Sequence, residues 1–263
     1  MSQQGRYNLI ATGIFNRYYQ PGVDNFVFNR QEIIEIAKEL GVVPPKNLGD
    51  LIYFFRYRQP LPQSITDTAP TGLEWIIESQ GRSIYCFRLV TMNRINPNIN
   101  LIQIKIPDAT PEIINKYTSG DEQALLTKIR YNRLIDIFLG ITAYSLQNHL
   151  RTTVTGIGQI EVDEIYVAIN TNGQQFIIPV QAKAGNDQLG VVQTKNDIAY
   201  CNEKFPELIC RAVSAQFMEK NIIAMFELAI EEGQVKIVQE KHYKLVPADQ
   251  ISENDLQNYR NYT

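Results

Sequence analysis

Cysteine and histidine are scarce in this chain, and each shortage closes off a class of chemistry. The cysteines are Cys86, Cys201 and Cys210, an odd number spread widely with no Cys-x-x-Cys pair, and only His149 and His242 stand beside them. Neither a disulfide framework nor a zinc site is supported, so the three thiols are expected to be buried. No stretch approaches the roughly 18 consecutive apolar residues that a membrane span needs. The opening residues, MSQQGRYNLI, lack the basic-then-apolar order of a secretory signal, and the expected location is the cytoplasm. Repeats and low-complexity segments are also missing.

What is present is the composition of a folded protein, 44% hydrophobic and 20% charged over 263 residues, enough for one large domain or two modest ones. The net charge of −3 hides an asymmetry. Residues 1–157 carry 16 Lys and Arg against 13 Asp and Glu, whereas residues 158–263 carry 9 against 15. A mildly basic half beside an acidic half is compatible with a nucleic-acid partner without requiring one.

The most informative stretch is Gly158 to Gly190. Ile160 to Ile169 and Phe176 to Ala182 are rich in β-branched and apolar residues, and Asn170-Thr171-Asn172-Gly173 supplies turn chemistry between them, which predicts a β-hairpin. Phe176-Ile177-Ile178-Pro179-Val180 has no polar residue, as expected of a strand covered on both faces. Side chains alternate along a strand, so Gln181 and Lys183 share one face and Glu161 and Asp163 share one face of the neighbour. If those faces coincide, one patch holds two carboxylates, an amide oxygen and an ammonium. Oxygen donors of this kind suit a hard cation such as Mg²⁺. A lysine beside them can steady a developing hydroxide and the charge on a phosphorus-centred transition state. The plainer explanation is a cross-strand ion pair at a sheet edge, contributing about 0.2–1 kcal/mol and no chemistry.

Val162-Asp163, followed after seventeen residues by Gln181-Ala182-Lys183, resembles the PD-(D/E)xK nuclease superfamily, with Val for the usual Pro and Gln for the usual acid. The Gln-x-Lys form is similar to the variant in methyl-directed restriction endonucleases. The resemblance runs from about residue 112 to the third core strand. It implies that Asp163 and Gln181 hold Mg²⁺, that the Ala182 carbonyl completes the shell, and that Lys183 serves the attacking water. Gln181 removes one negative charge, which Glu161 or Glu122 could restore. Glu122, in the first turn of a helix expected over 121–139, is explained equally well by the helix dipole.

Ahead of this region the pattern is helical. Residues 7–19 predict one helix. Asn29 with Glu32 predicts a capping box for a second, closed by Gly41. A third runs from about Asn47 to Arg58, with Lys46, Arg56 and Arg58 on its polar side. Strands over Leu73 to Ser79 and Ser83 to Val90 enclose Gln80-Gly81-Arg82. Two helices and a hairpin in this order have the form of a winged helix, or of a generic helical layer with a hairpin in which Trp75, Tyr85 and Phe87 are core.

Residues 91–111 read as a connecting segment containing one strand, Leu101 to Ile106, and Ile141 to Leu150 as a continuation of the preceding helix. Lys128, Arg130, Tyr131 and Arg133 form the polar side of the helix over 121–139, either meeting phosphates or facing solvent. Asn186 and Asp187 follow Lys183 closely enough to touch substrate, or simply form a turn. A helix over 192–204, a strand over Leu208 to Phe217 and a hairpin over 222–241 follow, and the tail ends in a polar, weakly helical segment.

The expected architecture is therefore α/β, with a restriction-endonuclease-like core, a mixed central sheet flanked by helices, over 111–263 and a winged-helix-like module over 1–110. The expected function is a Mg²⁺-dependent endonuclease on double-stranded DNA, resembling type II or methyl-directed restriction enzymes. DNA contacts are expected from Lys46, Arg56, Arg58, Arg82, Arg130, Arg133 and Asn186, and a homodimer because cutting two strands takes two sites. The alternatives are a DNA-binding regulator on an inactive nuclease fold, and a nuclease for branched or damaged DNA.

Overall fold

The computed structural model describes residues 2–118, 120–185, 187–219 and 221–260. Its first body is a helical layer on a three-stranded antiparallel sheet. It comprises α1 (Gln3–Tyr18), β1 (Asn25–Asn29), α2 (Glu32–Glu39), α3 (Gly49–Tyr53), a π-turn over Phe54–Arg58, α4 (Gln63–Thr66), β2 (Glu74–Ser79) and β3 (Ile84–Val90). The strand order is β1-β3-β2. α1 buries Tyr7, Ile10, Ile14 and Phe15 at helical spacing. Phe15 meets Trp75 edge-on at 5.2 Å and Phe87 at 5.3 Å, contacts worth about 0.5–1.5 kcal/mol each beyond the area they bury.

α2 ends as its glycine predicts. Gly41 takes φ +65°, and the Val42 and Gly41 amides reach back to Ala37 O at 2.9 Å and Lys38 O at 3.1 Å. Its start differs from expectation. Asn29 ends β1 and the capping position falls on Gln31, which makes no side-chain cap. Half of the expected box survives, because Glu32 Oε1 accepts the Asn29 N–H at 2.7 Å.

The second body follows in the order β4 (Arg94–Ile95), β5 (Gln103–Pro107), α5 (Glu112–Tyr117), α6 (Glu122–Tyr131), α7 (Leu134–Leu139), β6 (Thr142–Val154), β7 (Gly158–Ile169), β8 (Gln175–Lys183), β9 (Leu189–Gly190), α8 (Val191–Lys204), β10 (Ile209–Cys210), β11 (Ala212–Glu219), β12 (Ile222–Glu231), β13 (Gln234–Val246) and α9 (Glu253–Arg260). Its eight-stranded sheet is ordered β5-β13-β12-β11-β8-β7-β6, with β10 beside β8. The sheet is mixed, since β11 runs parallel to β8 and β5 parallel to β13. β5, the strand within the connecting segment, thus joins the large sheet as an edge.

Ile141 to Leu150 is not helical. Gly140, at φ +66°, ends α7, and residues from Thr142 onward form β6, an edge strand antiparallel to β7 with a register shift between Ser145 and Gln147. Its side chains are mostly exposed, so the pattern lacked the alternation that marks a half-buried strand. The helix expected over 121–139 breaks at Arg133, whose φ of +51° separates α6 from α7.

Along β8 the faces divide as a central strand requires. Ile178, Val180 and Ala182 join Leu125, Ile129, Leu134 and Phe138 beneath α6 and α7. Ile177 packs on the other side with Tyr200 and Cys201 of α8. Helices thus cover both faces of a mixed α/β sheet. Among the described residues no helix is long and apolar enough to cross a membrane.

Candidate functional site

The polar end of β8 emerges where the central hairpin opens. Backbone pairing of β7 with β8 runs from Ile169 opposite Gln175 to Glu164 opposite Val180. At the next step Asp163 Oδ2 accepts the Ala182 N–H at 2.9 Å, so a side chain stands where a strand carbonyl would otherwise be. Lys183 Nζ lies 3.9 Å from the same oxygen and 2.9 Å from Glu122 Oε1, which the first turn of α6 brings in. Asp163 and Lys183 therefore converge as the spacing predicted, and Glu122, a candidate through the resemblance, joins them. Asp163 and Lys183 are each only 9% exposed and sit on two central strands. A surface ion pair at a sheet edge does not describe them, and burying such charges is costly without further partners.

Burial raises the Asp163 carboxyl, against the opposite pull of Lys183 and the Ala182 amide. Burial also works against the Lys183 ammonium, but Asp163 and Glu122 outweigh it and hold its pKa above the ordinary value. A further acid, Asp197 of α8, faces the same space. Its carboxyl is held well above the usual range, by burial first and then by the charge of Asp163.

Gln181 is placed differently from its expected part. Its side chain is turned into the seam between sheet and α8, where Nε2 donates to Gln193 Oε1 at 3.1 Å and Oε1 accepts the hydroxyls of Thr194 and Ser214, both at 3.3 Å. Ser214 stands opposite Gln181 because β11 runs parallel beside β8 in that register. Gln181 is 1% exposed and does not line the cleft described next.

Asp163, Lys183 and Glu122 open into a cleft of about 1020 Å³ between the two bodies. Arg30, Arg56, Arg82, Tyr53, Tyr57 and Tyr85 line its first-body side, and His149, Arg151 and Glu161 line the rim of β6 and β7. Arg56 is fixed by Nε to Ile77 O at 2.7 Å and Nη2 to Ser79 Oγ at 3.2 Å. Glu161 sits at the exposed rim with Arg151 at 3.2 Å and His149 at 3.8 Å, so it is tied there rather than turned onto Lys183. One wall is basic and the floor acidic.

Of the cations expected to meet DNA, Arg56 and Arg82 line this cleft. Lys46 is exposed away from it, and Arg58 lies over the Tyr53 ring, 5.1 Å from its centroid, also outside it. Arg130 is bound through Nε and Nη2 to the fully buried Glu164 at 3.0 and 2.9 Å, and Arg133 pairs with Asp136. Asn186 lies outside the described residues. Sequence reasoning passed over Arg30, Arg151 and Asp197. For Asp197 a signal existed: Gln193, Thr194 and Asp197 form a polar stripe at helical spacing in a helix whose neighbours Val192, Ile198 and Cys201 pack inward.

The donor chemistry here is oxygen, which suits a hard divalent cation. Among the described residues no group of three or more His, Cys, Asp and Glu side chains is gathered tightly enough to hold a metal alone. Mg²⁺ does not require one, since it binds through one or two carboxylates and keeps several waters. Comparison with known proteins finds no match to a family model, to a curated protein or to a solved structure.

Proposed function

We propose that this chain is a Mg²⁺-dependent endonuclease acting on double-stranded DNA, with a nuclease body of the PD-(D/E)xK type behind a winged-helix module. The observation that carries the reading is the meeting of Asp163, Lys183 and Glu122 at the opened end of a central hairpin, facing a cleft with arginines on its other wall. Element order supports it. From α6 to β11 the chain contains the helix, strand, strand, helix, strand order expected of such a core, in α6–α7, β7, β8, α8 and β11, with β6 and the short β9 and β10 interposed. In the first body, α2, α3 and the β2–β3 hairpin, with α4 between, follow the order of a helix-turn-helix with a wing, and Arg56 stands on the π-turn that continues α3 and Arg82 on the wing.

Mg²⁺, when bound, supplies Lewis acidity toward phosphate and water. Asp163 would hold it. Lys183, kept charged by its two acids, donates to the attacking water oxygen and to the phosphate oxygens as their negative charge grows. Glu122 positions that ammonium, and Arg56 and Arg82 grip flanking phosphates without reading sequence. Water adds in line to phosphorus, one P–O ester bond breaks, the water's proton passes to solvent, and the departing alkoxide takes up a proton. Two copies related by a two-fold axis would cut both strands.

The test is incubation of the protein with supercoiled plasmid and Mg²⁺, then with EDTA. Cutting should require the metal and fall by about 10²–10³ in Asp163→Ala and Lys183→Ala, the scale of losing a charge-stabilising group. Cutting at the wild-type rate by both variants would remove this site from the account. Specific binding without cleavage would assign the chain to DNA-binding regulators on the same fold.

A further inference from the structure

We infer that Asp197 of α8, rather than Gln181 of β8, is the partner of Asp163 in holding the divalent cation. The inference rests on the nuclease reading and changes its ligand set. Gln181 has no oxygen to offer, because its carbonyl already accepts two hydroxyls and its amide nitrogen is held by Gln193. Asp197 is the opposite case. It is 2% exposed, it lines the same cleft as Asp163 and Lys183, and its Oδ1 has no hydrogen-bond partner. An unpartnered buried carboxyl oxygen is costly and calls for a partner, and Asp197, unlike Glu164 with its equally unpartnered Oε2, opens on the cleft where a bound ion can supply it.

The Gln181–Gln193 bond then has a purpose. Gln193 lies one helical turn before Asp197 on the same side of α8, so tethering it to β8 fixes the rotation at which Asp197 meets the cleft. Gln181 is a positioning residue in this arrangement. The gathering of groups points the same way, since three carboxyls, those of Asp163, Asp197 and Glu122, stand against the one ammonium of Lys183 and carry an excess of negative charge when all are ionised. A divalent cation cancels that excess, and two carboxylates are all that Mg²⁺ asks of a protein.

Mn²⁺ binding to the full-length protein, followed by loss of its free-ion electron paramagnetic resonance signal, tests the assignment without reference to activity. Wild type should bind, and Asp163→Asn and Asp197→Asn should each weaken binding by about tenfold or more. Asp197→Cys carries the test even if Asn were not tolerated. A thiolate ligand should turn the preference from Mn²⁺ to Cd²⁺ and add a thiolate-to-cadmium ultraviolet band beyond any given by Cys86, Cys201 and Cys210 in wild type. If Asp163→Asn loses Mn²⁺ while Asp197→Asn and Asp197→Cys bind it as wild type does, the Asp197 assignment is wrong and the nuclease reading stands. If wild type binds no Mn²⁺, both fall.

Discussion

Asp163 and Glu164 are neighbours on one strand, both buried, and their side chains leave β7 in opposite directions. Glu164 Oε1 meets the fork of Arg130 at 2.9 and 3.0 Å and the Ser145 hydroxyl at 2.5 Å, one acid with one matched cation, while its Oε2 is buried without a partner and away from the cleft. Asp163 shares Lys183 with Glu122, sits near Asp197, and opens on a cleft. The difference separates a charge cluster that holds the fold from one that has negative charge left over for a ligand. The identity of the residues does not make the distinction; the balance of acids and cations and the opening onto a cleft do.

The comparison can be broken most forcefully at Glu164. Glu164→Ala leaves the Arg130 guanidinium and the Ser145 hydroxyl without their acceptor and should cost about 1–3 kcal/mol in urea unfolding, Arg130 being partly in solvent. Cutting by the folded variant should stay at the wild-type rate. An unchanged urea midpoint would contradict a structural role for this pair.

Asp197 should behave in the opposite sense. Its carboxyl keeps its proton to higher pH in the folded state than in the unfolded chain, where an Asp titrates near 3.9. The folded state therefore holds more protons as pH rises from that value, and the stability this group contributes at low pH is lost as pH climbs through its raised folded value. Without metal, Asp197→Asn should melt above wild type at neutral pH, and the gap should close as pH falls toward about 4. A gap that widened on acidification would show the sign to be wrong. Saturating Mg²⁺ should narrow the neutral-pH gap from the other side, by stabilising wild type through binding.

The smallest expected effect lies on the facing wall. Arg82 is exposed on the turn of the β2–β3 hairpin, so Arg82→Ala should weaken DNA binding by a similar factor across sequences and lower the salt dependence by about one phosphate contact. Loss of binding to one sequence only would make Arg82 a base reader instead.

Legibility in the sequence followed how local each feature is. The β7–β8 hairpin, α8 and the end of α2 at Gly41 are written in turn residues and periodicity a few positions apart, and the structure has them where expected. β6 is not legible because its exposed edge carries little alternation, and the engagement of Arg130 on α6 is not because its partner Glu164 lies 34 residues away on β7. The meeting of Asp163 with Lys183 could be read from strand parity. The engagement of Gln181 could not, since it depends on Ser214 arriving beside it through a parallel crossover and on Gln193 arriving on a helix.

The most direct measurement sets the two clusters against each other in one assay: the rate of Mg²⁺-supported plasmid cleavage by Lys183→Ala beside that of Glu164→Gln, both shown to be folded. The account predicts that the first cuts about 10²–10³ more slowly than wild type and the second as wild type does. Equal rates in the two variants would contradict it.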